Sequence, residues 1–126
     1  MAITWLNSEI STTNCLITIY DTNLTLNKYT CNLIGNPYSV MIGLDYDDKK
    51  LYIKCLSKDE ALLCNIASDK QYKITIRDSY GRISNVWIVK EIKRIIGVSN
   101  LEKPKKFKVN WDNKEKMISV DLLMEV

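Results

Sequence analysis

Histidine is absent from this chain of 126 residues, and glycine and proline are scarce, with four and two residues. Without histidine, neither a Ser-His-Asp triad nor a Cys-His pair can form. So few glycines and prolines leave no flexible linker of the usual composition. No apolar run approaches the roughly 20 residues needed to cross a bilayer. These absences predict a protein that is not an enzyme, has no evident small-molecule substrate and does not act on a membrane.

The four cysteines form no Cys-x-x-Cys pair; they are Cys15, Cys31, Cys55 and Cys64. Zinc sites usually draw on closely spaced cysteine or histidine pairs, so we expect no metal and no cofactor. The N-terminal residues 1–5 have neither a basic start nor an apolar stretch, so we expect no secretion signal. Reduced, mostly buried thiols in a cytoplasmic protein are therefore the expectation.

Length and charge describe one domain with an uneven surface. A chain of 126 residues matches one ordinary domain, which we place at residues 1–126. Residues 1–63 hold five Lys/Arg against seven Asp/Glu, a balance of −2, and residues 64–126 hold thirteen against eight, a balance of +5. An anionic partner is therefore expected to meet the second half.

Alternating apolar residues predict strands in both halves of the chain. Residues 15–20 and 72–77 each alternate β-branched and polar side chains. Residues 39–44 and 51–55 predict a hairpin, and so do residues 107–111 and 118–122. Residues 78–83 are predicted as the turn after the second-half strand, and residues 103–106 as a basic loop.

Three segments carry helix signals. Residues 25–33 predict a helical turn or two, ended by Gly35. Ser57 and Glu60 form a capping box that predicts a short helix to about Cys64, with Leu62 and Leu63 facing inward. The strongest signal predicts a helix over residues 86–96, whose isoleucines and Val89 fall on one face, with an Asn85 or Ser84 cap and a Gly97 stop.

The order of these signals is the same in both halves. The opening strands match at an offset of 57 residues (Ile17 with Ile74), and the hairpins match at 67 (Val40 with Phe107). We therefore predict an internal repeat with halves at about 14–66 and 71–122, each unable to bury its apolar face alone.

The second half resembles the AbrB/MraZ superfamily of swapped-hairpin proteins. Residues 78–82, Asp-Ser-Tyr-Gly-Arg, are similar to the D-x-x-G-R turn of MraZ, and residues 90–98 are similar to the P-K-E-I-R…L-G-I helix that follows it. In the first half, Asp21 remains but Leu24 and Thr25 stand at the glycine and arginine positions. The resemblance covers about residues 14–122, and only the second half carries the motif residues.

This resemblance implies a mainly β fold with short helices: a double-split, swapped-hairpin β-barrel formed by two tandem pseudo-symmetric halves. It implies a DNA-binding transcriptional regulator that is a homo-oligomer. The alternative is a non-catalytic protein-interaction module, antitoxin-like or phage accessory, on the same barrel.

The candidate DNA-binding residues are the basic residues in and around the motif: Lys73, Arg77, Arg82, Lys90, Lys93 and Arg94. Asp78 is predicted to stabilise the turn by pairing with Arg82, which would then meet a phosphate or base edge. The alternative is that both residues only hold the turn, and that the lysines form an ordinary solvated surface.

Aromatic residues are a second set of candidates, because rings can stack on bases. They are Tyr46, Tyr52, Trp87 and Trp111, of which Trp111 is favoured as a core residue because it matches Leu44 in the repeat. Asp45, Asp47 and Asp48 are interpreted as a hairpin turn, since the segment lacks the glycine and glutamate of a calcium loop.

Overall fold

The computed structural model describes residues 2–3, 14–63 and 66–126, and this part of the chain contains nine strands and three α-helices. The strands are β1 (Leu16–Ile19), β2 (Asn23–Asn27), β3 (Ser39–Asp45), β4 (Lys50–Leu56), β5 (Thr75–Ile76), β6 (Tyr80–Ser84), β7 (Lys105–Lys108), β8 (Asn110–Asp112) and β9 (Met117–Asp121). The helices are α1 (Lys28–Ile34), α2 (Lys58–Leu63) and α3 (Val86–Ile96). Trp5 and Cys64 lie outside the described residues.

The strands form two antiparallel sheets. One sheet has the order β5-β6-β2-β1-β7 and the other β3-β4-β9-β8. A mainly β architecture with short helices is therefore confirmed. None of the helices in the described part of the chain has the length and apolar character needed to cross a membrane.

The hairpin predicted over residues 39–55 forms as β3–β4. The second predicted hairpin forms only in part, because the strand predicted over residues 107–111 is divided at Val109: Phe107 pairs with Ile17 of β1, and β8 pairs with β9. The pairing registers that form differ by the predicted offsets. Leu44 pairs with Leu51 between β3 and β4, and the residues 67 positions further on, Trp111 and Ile118, pair between β8 and β9. Thr18 pairs with Thr25 between β1 and β2, and the residues 57 positions further on, Thr75 and Arg82, pair between β5 and β6.

The β3–β4 and β8–β9 turns have the same construction. The carboxylate of Asp45 accepts hydrogen bonds from the amides of Asp47 and Asp48, at 3.0 and 2.9 Å, and Asp112 accepts from Lys114 and Glu115 at 3.0 and 3.1 Å. Each turn ends on a lysine with a left-handed backbone, Lys49 (φ 57°) and Lys116 (φ 52°). Side-chain oxygens of Asp mimic a backbone turn in this way.

Besides β1–β7, two strand pairs join the N-terminal and C-terminal parts of the chain. In the β2–β6 pair, Thr25 lies opposite Arg82, its counterpart at offset 57. In the β4–β9 pair, Tyr52 lies opposite Ser119, its counterpart at offset 67. Each pair is therefore centred on two residues that occupy matching positions in the chain.

Two further contacts lie at the ends of the sheets. Val40 of β3 and Tyr72 exchange backbone hydrogen bonds of 3.0 and 2.8 Å. Only Val109 separates β7 from β8, and its amide donates to the carbonyl of Cys15 at 2.9 Å. The chain therefore passes from one sheet to the other at Val109.

One cluster of buried side chains draws on both sheets and on α3. Ile17 and Leu26 contribute from the first sheet, Ile53 and Ile118 from the second, and Ile92 from α3. The predicted helix over residues 86–96 is confirmed, with Asn85 accepting from the Ile88 amide at 3.0 Å and Gly97 in the left-handed region at φ 89°.

Five other predictions need correction. Leu62 and Leu63 are 58% and 73% exposed, because the only buried residue of α2 is Ala61 and they lie about 100° and 200° further round the helix. Arg82 lies within β6 and not in a turn, since β2 and β5 pair on either side of it.

The other three corrections concern the bounds of elements. The predicted strand over residues 72–77 is reduced to β5 and the separate Tyr72 bridge. The predicted basic loop is shorter because β7 begins at Lys105 and pairs with β1. Thr25, expected in the first helical stretch, belongs to β2, and α1 begins at Lys28.

Candidate nucleic-acid interface

Arg82 lies in the middle of β6, the second strand of the first sheet. Its side chain is exposed, and the guanidinium carbon lies 5.0 Å from the centre of the Tyr80 ring, within the range of a cation–π contact. A shallow hollow of about 500 Å³ surrounds it. The residues lining this hollow, which we call the Arg82 hollow, are Tyr20, Asn23, Thr25, Tyr80 and Arg82.

The polar residues of the Arg82 hollow are ordered by local hydrogen bonds. The Thr25 hydroxyl donates to the Asn23 side-chain carbonyl at 2.8 Å, and the Tyr20 amide donates to the Asn23 backbone carbonyl at 2.9 Å. The β1–β2 turn is thereby fixed beside Arg82, which offers up to five N–H donors in a rigid fork. This fork can donate two parallel hydrogen bonds to two oxygens of a phosphate or to the edge of a guanine.

Asp78 and Arg82 do not form an ion pair among the described residues. Asp78 is exposed in the β5–β6 turn, which is closed by the Arg77 amide donating to the Tyr80 carbonyl at 2.8 Å. Tyr80, and not Asp78, is the residue against which the Arg82 guanidinium lies.

Lys90, Lys93 and Arg94 lie together on α3, as their spacing predicts. They line a second hollow of about 450 Å³, which we call the α3 hollow, together with Asp21, Val86, Val98 and Ser99. Lys90 is exposed, whereas the Lys93 side chain is only 16% exposed because it reaches Asp21.

Asp21 is a site residue whose position the sequence did not reveal. Its carboxylate lies 2.6 Å from the Lys93 ammonium and accepts a 3.4 Å hydrogen bond from the Leu101 amide. The Lys93 contact lowers the pKa of Asp21 from its ordinary value of 3.8. Asp21 matches Asp78 in the repeat, but only the folded chain brings it to the helix of the other half.

Ion pairing divides the six basic candidates into two groups. Lys93 pairs with Asp21, and Arg94 lies 3.4 Å from the carboxylate of Glu91. Within residues 14–63 and 66–126, no ion pair within 4.0 Å involves the other four candidates, Lys73, Arg77, Arg82 and Lys90. Those four cations are available to an external anion without first giving up an acidic partner.

The six residues do not share one hollow. Arg82 lines one hollow, and Lys90, Lys93 and Arg94 line the other. The neighbouring residues Tyr20 and Asp21 belong to different hollows, so the two adjoin at the β1–β2 turn. Lys73 and Arg77 are exposed near β5, outside both.

The aromatic candidates also lie at different places in the fold. Tyr46 and Trp87 are 47% and 57% exposed and line a third cavity with Tyr72. Trp111 is half-buried against the core, and Tyr52 is half-buried in β4. In the basic segment at residues 103–108, Lys103, Lys106 and Lys108 are exposed, and Lys105 pairs with Glu125 at 3.1 Å.

Neither the thiols nor the acids of the described chain form a reactive or metal-binding cluster. Cys15, Cys31 and Cys55 are buried free thiols, and burial raises the pKa of Cys55 to about 11. No group of three or more cysteine, aspartate or glutamate side chains that could hold a metal occurs between residues 14 and 126, leaving aside positions 64–65.

Comparison of the chain with protein-family models, with curated proteins and with solved structures gives no match.

Proposed function

We propose that this protein is a DNA-binding transcriptional regulator of the AbrB/MraZ type, in which one chain supplies both halves of a swapped-hairpin barrel. The proposal joins the motif in residues 78–98 to the position of Arg82 at the middle of the β2–β6 pair. A regulator of this kind acts where the DNA is, in the cytoplasm, and we expect it to be a homo-oligomer.

The barrel part of the proposal is supported by the contacts at the ends of the two sheets. In one direction the chain continues through Val109 from β7 to β8. In the other, Val40 bonds with Tyr72, which leads into β5. The two junctions involve matching segments but are displaced by two residues: Phe107 pairs with Ile17, whereas Val40, its counterpart at offset 67, bridges Tyr72 and not Ile74. Closure of this kind leaves fewer strand edges exposed.

The two-copy part is supported by register and turn geometry. Hairpins that match at a fixed offset can arise by chance from alternating sequences, but register depends on turn length and on which face is buried. Here the pairing partners, the aspartate-capped turns and the left-handed lysines all follow the same offset. We infer a duplication with halves at about 14–66 and 71–122.

Arg82 carries the functional part of the proposal. It is exposed, it is free of acidic partners within the described residues, and Tyr80 supports its guanidinium. Its fork would donate to a phosphate or a base edge, with Lys90, Arg77 and Lys73 adding phosphate contacts. Lys93 and Arg94 would contribute less, because each must first leave a carboxylate at 2.6 or 3.4 Å.

The test measures binding of fluorescent duplex DNA by anisotropy between 50 and 200 mM salt. Arg82→Ala is expected to weaken binding about tenfold and to make the plot of log affinity against log salt shallower by about one. Lys114→Ala, in the exposed β8–β9 turn, removes the same charge elsewhere and should change neither quantity. Absence of DNA binding at low salt, or equal effects of both variants, would refute the proposal.

A protein-interaction module is the second candidate, and the exposed leucines of α2 favour it. Leu62 and Leu63 are 58% and 73% exposed on a helix that buries only Ala61. If the exposed leucines of α2 mediate self-association, the double variant Leu62→Ser/Leu63→Ser should have a lower mass by light scattering than the wild-type protein. Tyr29→Ser, which alters another exposed apolar residue on α1, should not. A loss of self-association without any DNA binding would favour this candidate.

A further inference from the structure

A third cavity, distinct from the Arg82 and α3 hollows, lies where α3 meets β3 and the Tyr72 segment. It has a volume of about 210 Å³. Its apolar side is formed by Ile42 and Leu44, its aromatic residues are Tyr46, Tyr72 and Trp87, and its one charged residue is Glu91. We call it the Glu91 cavity.

Glu91 is unusual because its carboxylate is buried without a full set of partners. The residue is 9% exposed, and Oε2 accepts no hydrogen bond from any described residue. The Arg94 guanidinium lies 3.4 Å from Oε2 without meeting hydrogen-bond geometry. The Arg94 side chain is itself 65% exposed. One long contact to a guanidinium that is itself mostly in solvent compensates this buried carboxylate only in part, and a buried charge without a full set of partners is costly. The site would therefore gain from a second cation.

The aromatic residues around Glu91 are suited to supply the rest of a cation site. Trp87 and Tyr46 are 57% and 47% exposed, so their rings border the opening of the cavity, and Tyr72 is half-buried. Rings attract ammonium and guanidinium groups through their faces, and tryptophan does so most strongly. A carboxylate beside several rings distinguishes a cation from a neutral group of the same size.

We propose that the Glu91 cavity binds the cationic side chain of a lysine or arginine in a partner polypeptide. At about 210 Å³ the cavity lies below the 300–1,000 Å³ range typical of small-molecule sites, and it holds one head group with part of its stem. The exposed Trp87 ring at the opening of the cavity offers apolar contact to residues flanking that side chain. A free small amine lacks these flanking contacts and would bind more weakly.

The test uses three blocked pentapeptides, alanine-based, with lysine, arginine or norleucine at the centre. Binding is followed by the NMR shift of the Trp87 indole N–H, which is assigned by its loss in Trp87→Leu. Lysine or arginine peptide should bind, and the norleucine peptide should bind at least tenfold more weakly. Glu91→Gln should weaken binding of the cationic peptides about tenfold or more. Trp87→Leu, for which binding is followed by backbone amide shifts, should weaken it by about three- to thirtyfold.

Glu115→Gln is the matched control, since its carboxylate is 57% exposed in the β8–β9 turn. It should leave peptide binding unchanged. Thermal unfolding of each variant shows whether the fold is intact, and Trp87→Leu tests the site independently if Glu91→Gln unfolds. Equal binding of the norleucine peptide, equal binding of n-butylammonium and the lysine peptide, or no binding by the wild-type chain would each overturn the proposal. These outcomes do not depend on DNA binding.

Discussion

At the scale of single residues, Asp21 connects the β1–β2 turn to α3. Lys93 lowers its pKa below 3.8, so the folded state binds fewer protons than the unfolded state near that value. Its contribution to stability is therefore present above the unfolded pKa and is lost as the pH falls through the lower folded value. Asp21→Asn should therefore reduce the urea midpoint more at pH 7 than at pH 2. Equal losses at both pH values would contradict an ionic origin.

Sequence patterns predict single residues well where a local signal is complete. Asn85, Gly97 and the isoleucines between them predict α3 to the residue, because cap, stop and apolar face agree. Asp21 and Glu91 have no such signal. Their partners, Lys93 and the aromatic cavity, come from other elements, and only tertiary packing brings them together. The basic candidates were predicted by type, but not their division between two hollows.

At the scale of elements, the close approach of α1 to β6 depends on Gly81. A methyl group there would lie 3.0 Å from the Cys31 sulfur and 3.0 Å from Ile76 Cδ1. Gly81→Ala should therefore destabilise the protein by about 1–3 kcal/mol, the usual cost of overpacking. Gly43→Ala in β3 is the matched control, because its methyl group would meet its nearest neighbour at 3.8 Å. Urea unfolding of both variants measures the difference between their free energies of unfolding. This difference should vanish if β6 can shift freely to admit the methyl group.

The misjudged elements have a common cause. Residues 78–83 look like a turn because they hold Asp, Ser and Gly, yet residues 80–84 form β6 since two neighbouring strands supply hydrogen bonds. Leu62 and Leu63 look like core residues by hydrophobicity, but the capping box sets the start of α2 and only Ala61 faces inward. Pairing partners and helix rotation are tertiary properties that local composition does not contain.

At the scale of the whole molecule, neither part of the chain is complete alone. Residues 71–126 expressed alone would expose the β6 edge that β2 covers and the β9 edge that β4 covers. We expect this fragment to be unfolded or aggregated by circular dichroism and gel filtration, because unpaired edges and apolar faces are exposed. Mixing it with residues 1–70 should restore β structure. A monomeric, folded fragment would contradict this expectation.

The β2–β6 pair has one further consequence, which follows from the difference between its two central residues. Thr25 and Arg82 occupy matching positions, yet one ends in a hydroxyl and the other in a guanidinium. The row continues from Thr25 through Thr18 to the exposed Lys106 of β7, so a ligand laid across this face meets a guanidinium at one end and an ammonium at the other. Because the two ends differ, the ligand has one preferred orientation. A single molecule of this protein would then favour a directional sequence over a palindrome, and an inverted repeat would require a second molecule turned the other way.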